Sequence, residues 1–180
     1  MEPTPAEPPS VPARSGRSPR DMALSMVVLL IPIAILIGMF RYLGNERPPT
    51  IDAAPAFAAA RTAKEFAVLE PAVPTGWQVQ SAQYRRENAG GTLRLGLRTS
   101  EGGPMQLVET AAPPASLIPA ELGDKAREQG TVEVGGRPWQ RYGEGRPGER
   151  ALVLVDQGRT ILVYGSVPES DLATLASALR

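Results

Sequence analysis

The 180-residue chain contains no cysteine and no histidine. Without cysteine it has no disulfide, no thiol nucleophile, no zinc–thiolate site and no acylated lipoprotein-type cysteine. Without histidine it lacks the side chain most used as a general base at neutral pH and as a metal ligand. The two absences exclude Ser-His-Asp and Cys-His hydrolases and most zinc enzymes. Charge of one sign is missing too: 19 Lys and Arg meet 19 Asp and Glu. Three of each precede Arg41, so the remainder is balanced at 16 against 16. No charge excess points to nucleic acid, where a basic surplus is expected. No cofactor motif is present either.

What the chain does have is one long apolar run. Residues 1–20 are proline-rich, with six prolines and almost nothing apolar. Such a segment cannot bury enough surface to offset chain entropy, so residues 1–21 read as a disordered cytoplasmic tail. Met22 to Phe40 then runs for 19 residues without a charge. At helical rise it covers about 28 Å, close to a bilayer core. Tyr42 suits an interfacial aromatic position, and residues 22–43 read as a transmembrane helix. The run is longer than a signal-peptide core, and the bulky, charged sequence after it offers no small-x-small cleavage site. An uncleaved plasma-membrane anchor is therefore expected. Arg14, Arg17 and Arg20 before the span outnumber Arg41 and Arg47 after it, which favours a cytoplasmic N-terminus and an extracytoplasmic C-terminal domain. Pro32 removes one backbone donor in mid-span. Ala34 and Gly38 form a small-xxx-small pair, a candidate helix-packing face.

Residues 44–55 read as a linker, and residues 56–180 are long enough for one domain with its own core. Ala56 to Ala67 is an alanine-rich helix candidate, ended by Pro71 and Pro74. Alternation predicts a strand over Trp77–Arg85, with Trp77, Val79 and Ser81 on one face. A turn at Glu87–Gly91 leads to Thr92–Thr99, where Leu93, Leu95 and Leu97 face inward and Arg94, Gly96 and Arg98 outward. Met105–Glu109 is a third strand. Pro113–Gly130, broken by Pro119 and Gly123, reads as a connection lying across a sheet edge. Gly135-Gly136 predicts a tight hairpin between Val132–Val134 and Arg137–Tyr142, and Pro138 places that second strand at an edge or turns its nitrogen outward. Ala151–Val155 and Thr160–Tyr164 are continuously apolar, as for central strands covered on both faces. Ser166 to Glu169 has the spacing of a capping box ahead of a helix over Pro168–Leu179, with Leu172, Leu175, Ala176 and Leu179 on one stripe. Consecutive hairpins predict an α+β domain, a mainly antiparallel sheet of six or seven strands packed by an N-terminal and a C-terminal helix on one face.

Several short stretches together resemble an actinobacterial membrane-protein family known as domain of unknown function 4245. They are Arg20-Asp-Met22, Pro74-Thr-Gly-Trp77, Gln106-Leu-Val-Glu109, Trp139, Glu149-Arg-Ala-Leu152, Gly158-Arg-Thr160 to Gly165 and the closing Pro-Glu-x-x-Leu-x-x-Leu-Ala helix. The resemblance spans nearly the whole chain and implies a membrane-anchored cell-envelope protein. It brings no known activity and no catalytic residues. The closing strand-strand-helix also has a faint likeness to other envelope domains related to lipoprotein-carrier and sigma-regulator folds.

Residue chemistry narrows the function further. Trp77 and Trp139 are anchors for a ligand or partner, or core residues at sheet ends. Arg85, Arg86, Arg94 and Arg98 form a basic stripe able to meet anionic lipid or cell-wall polymer, or a solvated face paired with glutamates. Arg141 shares a strand face with Trp139, and Tyr142 points the other way. Trp77, Arg94, Arg98, Trp139, Arg141 and Tyr142 are the candidate partner or ligand surface. Asp156, Glu121 and Asp124 lack the spacing of calcium loops and read as turn residues. An enzyme would have to use paired carboxylates such as Glu144 with Glu149 or Glu109, in a stretch with no apolar pocket, and Gly143-Glu-Gly145 opens no phosphate-binding helix. The expectation is a non-catalytic domain that binds an envelope protein or component. A lipid or small-ligand binder is the alternative.

An uncleaved anchor has a direct test. An epitope ahead of residue 20 stays on the full-length chain in carbonate-washed membranes. A shortened, soluble product lacking the epitope would show the span to be a signal sequence.

Overall fold

The computed structural model describes residues 19–43, 50–87 and 90–180. The expected disordered tail and most of the linker lie outside the described residues. The chain divides into an N-terminal unit and a compact unit from Pro48 to Arg180. In the first, α1 (Pro19–Leu43) carries Pro32 inside it. Its stretch Met22–Met39 is long and apolar enough to cross a membrane, which fits a single-pass anchor or a signal sequence. The one hydroxyl in that stretch, Ser25 Oγ, donates to its own helix at Met22 O, 2.9 Å away, so it needs no other partner in an apolar medium.

The second unit is an α+β domain. Its elements run α2 (Ala54–Ala63), β1 (Gln78–Glu87), β2 (Gly90–Arg98), β3 (Pro104–Thr110), α3 (Pro114–Leu122), β4 (Arg127–Val134), β5 (Arg137–Gly143), β6 (Arg150–Asp156), β7 (Arg159–Gly165) and α4 (Glu169–Ser177). The seven strands form one sheet in the order β1-β2-β3-β7-β6-β5-β4, every pair antiparallel. The connection through α3 carries the chain from β3 to the far edge, and two hairpins then fold back until β7 pairs with β3.

Register fixes which residues share a face. On face 1, one row reads Tyr84-Leu93-Glu109-Ile161-Leu154 and the next Ala82-Leu95-Leu107-Val163-Leu152-Arg141. The leucines of β2 are inward as alternation predicts. Helices α2 and α4 cover this face, with Phe57, Ala60, Leu172, Leu175 and Ala176 packed against Leu93, Leu107, Leu152 and Trp139. Face 2 has its own smaller core, where Leu117 and Leu122 of α3 meet Val108, Leu162, Val153, Ala151 and Tyr164. Every residue of β7 is buried, as its unbroken apolar run implies.

Local chemistry sets the turns. Gly135 and Gly136 have φ of 60° and 73°, the doubly left-handed two-residue turn expected of a Gly-Gly hairpin, and Gln157-Gly158 repeats it at 48° and 78°. Pro138 lies in the penultimate strand, beyond the point where β5 stops pairing with β6, so no ladder bond is lost.

Four expectations are corrected. Ser81 does not share a face with Val79, because a bulge between them shifts the register by one and turns Ala82 and Tyr84 inward instead. Residues 113–130 do not lie across an edge: α3 packs on the β3-β7-β6 part of the second face, so both sides of the sheet carry a helix. The first helix starts earlier and stops at Lys64, whose left-handed φ of 55° ends it well before Pro71. Ser166 does not cap α4; Pro168 is the N-cap, in extended conformation and without a side-chain cap bond. The apolar stripe of α4 is as read.

Leu107 is fully buried in the middle of face 1, whereas Val155 is 55% exposed. Leu107→Ala should lower unfolding free energy by about 2–5 kcal/mol, and Val155→Ala should stay within about 0.5 kcal/mol. Denaturant titration of the full chain in micelles measures both.

Candidate functional site

The open part of face 2 is the place where polar side chains gather. Its rows read Arg85-Thr92-Thr110-Thr160, then Gln83-Arg94-Val108-Leu162, then Ser81-Gly96-Gln106-Tyr164, with Gln78 opposite Arg98 at the end. Helix α3 packs over the β3-β7-β6 end of these rows. The β1-β2 end is left polar: Ser81, Gln83 and Arg85 are exposed, and Arg94, Gly96 and Arg98 half-exposed. The threonine row is closed off instead. Thr92 and Thr110 hydroxyls lie 3.1 Å apart, Thr110 donates to Gly91 O at 2.9 Å, and Thr160 donates to Ala112 O at 2.8 Å.

Where α3 ends, Glu121 joins the two halves of the face. Its Oε1 sits 2.5 Å from Arg94 Nη2, and its Oε2 accepts from the Tyr164 hydroxyl at 2.9 Å. Gln106 Oε1 is also 2.9 Å from that hydroxyl. Burial alone would raise the Glu121 pKa, but the bonds from Arg94 and Tyr164 outweigh it and leave the carboxyl below its ordinary value. Burial, followed by the charge of Glu121, drives the Tyr164 pKa upward, so it stays a neutral donor. The arrangement is a fixed charge pair at the rim of a polar sheet face.

The six residues singled out by sequence do not form one surface. Arg94 and Arg98 lie together on face 2. Tyr142 is on the same face but on β5, half-buried against the α3 cluster, where burial raises its pKa. Trp139 is on face 1 and fully buried, its Nε1 without an acceptor; it is a core residue. Trp77 is half-buried against the same core. Arg141 lies 3.6 Å from Glu169 at the start of α4 and donates to Gln129 O. Of the basic stripe, Arg86 turns to face 1, where it meets Glu65 at 2.5 Å. Glu149 is 3.5 Å from Arg146 in the loop before β6. Sequence reading placed Glu121 in a turn, whereas it is a buried residue of α3, and it missed Gln106, Ser81 and Gln83 as members of this face. The even-numbered outward parity of β2 was the signal for the strand residues, and nothing local marks Glu121 as reaching Arg94.

Glu109 is the unexpected group. It occupies a core position on face 1, fully buried in the row between Leu93 and Ile161. Residues 64–72 cross above it as a strap. The Leu69 amide donates to Glu109 Oε2 at 3.0 Å, while Oε1 has no partner. Close by, Arg159, 5% exposed, donates to Ala67 O and pairs with Asp156 at 2.9 Å. Glu65 anchors the start of the strap by accepting from Gly91 N and Arg86. At its far end Glu70 exchanges backbone bonds with Arg180. Burial pushes the Glu109 carboxyl up to about 7, against the opposing pull of the Leu69 amide and of Arg159 and Arg61.

The fold and face define a class: an α+β domain with a seven-stranded antiparallel sheet, following an apolar helix long enough to span a membrane. The chain matches the model of a family described as a protein of unknown function (DUF4245) over residues 14–179. It belongs to that family. No curated protein and no solved structure matches it.

Glu109 gives the domain a pH dependence of known sign. Its carboxyl titrates near 7 when folded and at 4.5 as the ordinary value. Its contribution is complete below pH 4.5 and is lost as pH rises toward 7, because the unfolded chain ionises first. The loss is on the order of 3 kcal/mol. Glu65 and Glu121 have depressed values, so their contributions fade only at lower pH and do not overlap this window. Glu109→Gln should therefore flatten the fall in stability between pH 5 and 7, measured by denaturant titration at both. An unchanged slope would remove Glu109 as its source.

Proposed function

We propose that the protein is a non-catalytic, membrane-tethered module whose extracytoplasmic domain binds a partner in the cell envelope through the open half of face 2. In this reading α1 is the plasma-membrane anchor and the N-terminus is cytoplasmic. The observation that carries it is the contrast between the two ends of face 2. One is sealed by α3 over an apolar core. The other is a polar surface from three adjacent strands, with Arg94 held by Glu121 and its rear packed by Leu93, Leu95 and Leu97. A rigid, laterally extended surface of this kind suits recognition, and the side chains gathered on it offer no nucleophile paired with a base. The small-ligand alternative would need a space between sheet and helix. Two grooves of 600 and 510 Å³ lie instead in the loops around Gly143–Arg150 and Ser166–Glu169, open to solvent.

Position-specific crosslinking tests this reading. A photoreactive residue at Gln83 should give an adduct in native membranes, and one at Ser170 on α4 should not. The Gln83 adduct should vanish with Arg98→Glu. Equal labelling from both positions, or none from either, would sink the proposal.

A further inference from the structure

We infer that the occupant of this open face is a linear phosphate polyanion, an inference that rests on the partner-binding reading above. Three arginines stand on this part of the sheet, Arg85, Arg94 and Arg98; among the residues whose side chains are described, Glu121 is the one carboxylate beside them, and Glu87 shares their face parity at the far end of β1. Glu121 is committed to Arg94. Among the described residues neither Arg85 nor Arg98 has an ion-pair partner, and the buried Nε of Arg98 has no acceptor. Neutral donors sit between the charges: the Ser81 hydroxyl and the amides of Gln83 and Gln106. No lysine contributes. Arginine's planar fork matches the paired oxygens of a phosphate group, whereas an ammonium offers only a point charge.

The spacing favours a chain over a single headgroup. Arg85 stands opposite Thr92, so the three cations mark positions 92, 94 and 98 along the β2 axis. Those steps are about 7 Å and about 13 Å, one and two times a common repeat. One phosphate meets one arginine; a chain with charge at every repeat meets all three. Gly96 lies between Arg94 and Arg98, directly opposite Ser81. A Cβ there would run into Ser81 Oγ. The space left by the missing side chain is taken by the Ser81 hydroxyl, which is thereby set over Gly96 between the positions of the two arginines, with Gln106 opposite Gly96 on β3. No large apolar side chain stands on this half of the face to insert among lipid tails, which separates it from interfacial membrane-binding surfaces.

The test uses the full chain in phosphatidylcholine nanodiscs and linear inorganic polyphosphate as probe, with binding measured over a series of salt concentrations. Wild type should bind, and Arg85→Gln with Arg98→Gln should weaken binding at least tenfold. The same pair should reduce the slope of log affinity against log salt by about 2. Arg98→Lys keeps the charge but loses the fork and should cost several-fold. Gln83→Glu should weaken binding with every arginine in place. Arg127→Gln, on the opposite edge strand, should leave it unchanged. Unaltered thermal melting of the variants excludes misfolding as the cause. Binding of poly-L-glutamate as tight as polyphosphate would identify an acidic protein segment instead and overturn the inference, as would indifference to the arginine changes. If polyphosphate fails to bind while the Gln83 crosslink persists, the chemistry of the occupant is wrong and the binding face stands. If both fail, both readings fall.

Discussion

The structure depends on β7 being buried on both faces. A strand of continuous apolar residues, Thr160-Ile-Leu-Val-Tyr164, cannot sit in a two-layer fold without exposing half of itself. It requires cover on each side. Helices α2 and α4 supply it on face 1 and α3 on face 2, and the order β3-β7-β6 puts this strand in the middle of the sheet. The sheet grows outward from there by hairpins, and apolar content on face 2 falls with distance from β7. Val108 on β3 is buried, Arg94 on β2 half-exposed and Gln83 on β1 exposed. The polar face is what remains where one nine-residue helix stops covering a sheet seven strands wide. Its position follows from the core, without any dedicated insertion.

Much of this was legible. Parity along Thr92–Thr99 separates leucine from arginine on successive positions, and that alone assigned the inward and outward faces of β2. The unbroken apolar runs after Glu149 marked the central strands, and the Gly-Gly pair marked its hairpin, because only left-handed φ at both positions closes such a turn without splaying the strands. These are short-range signals, each written in two to eight residues.

What was not legible depends on geometry between segments. The bulge after Val79 leaves no trace in a sequence that alternates well enough either way, yet it reverses the face of everything after it in β1. Helix α3 carries Pro119 inside and Gly123 at its end, so propensity argues against it. The apolar floor on face 2 holds Leu117 and Leu122 in place regardless. Ser166 has the spacing of a cap, but Pro168, extended at ψ 148°, takes the N-cap position two residues further on and the helix starts at Glu169. Glu109 reads from sequence only as the end of a strand and one of the carboxylates a catalytic pair would need. Only the strap from residues 64–72, some 40 positions away in the chain, makes it a core residue with a single bond from Leu69.

Net charge misleads for the same reason. A total of zero gives no sign of an anionic partner, but a total is a sum over faces that no single ligand sees. Apart from Glu121 and Glu87, the acidic residues balancing Arg85, Arg94 and Arg98 include many placed elsewhere: Glu65 and Glu70 on the strap, Glu128 and Glu133 on the far edge strand, Glu169 and Asp171 at the start of α4. Several of them are committed to local cations, Glu65 to Arg86, Glu70 to Arg61 and Glu169 to Arg141. The local excess on the open face is therefore not cancelled at contact range, because exposed charges more than about 10 Å away are screened at physiological salt. Three arginines are a modest number for tight binding. In the proposed reading, with domain and partner both confined at a membrane, modest affinity suffices, since confinement raises the effective concentration each presents to the other. A weak, salt-sensitive and extended contact is the kind of interaction such an arrangement can use, and a flat sheet face with a few positioned guanidinium groups is the kind of surface that makes one.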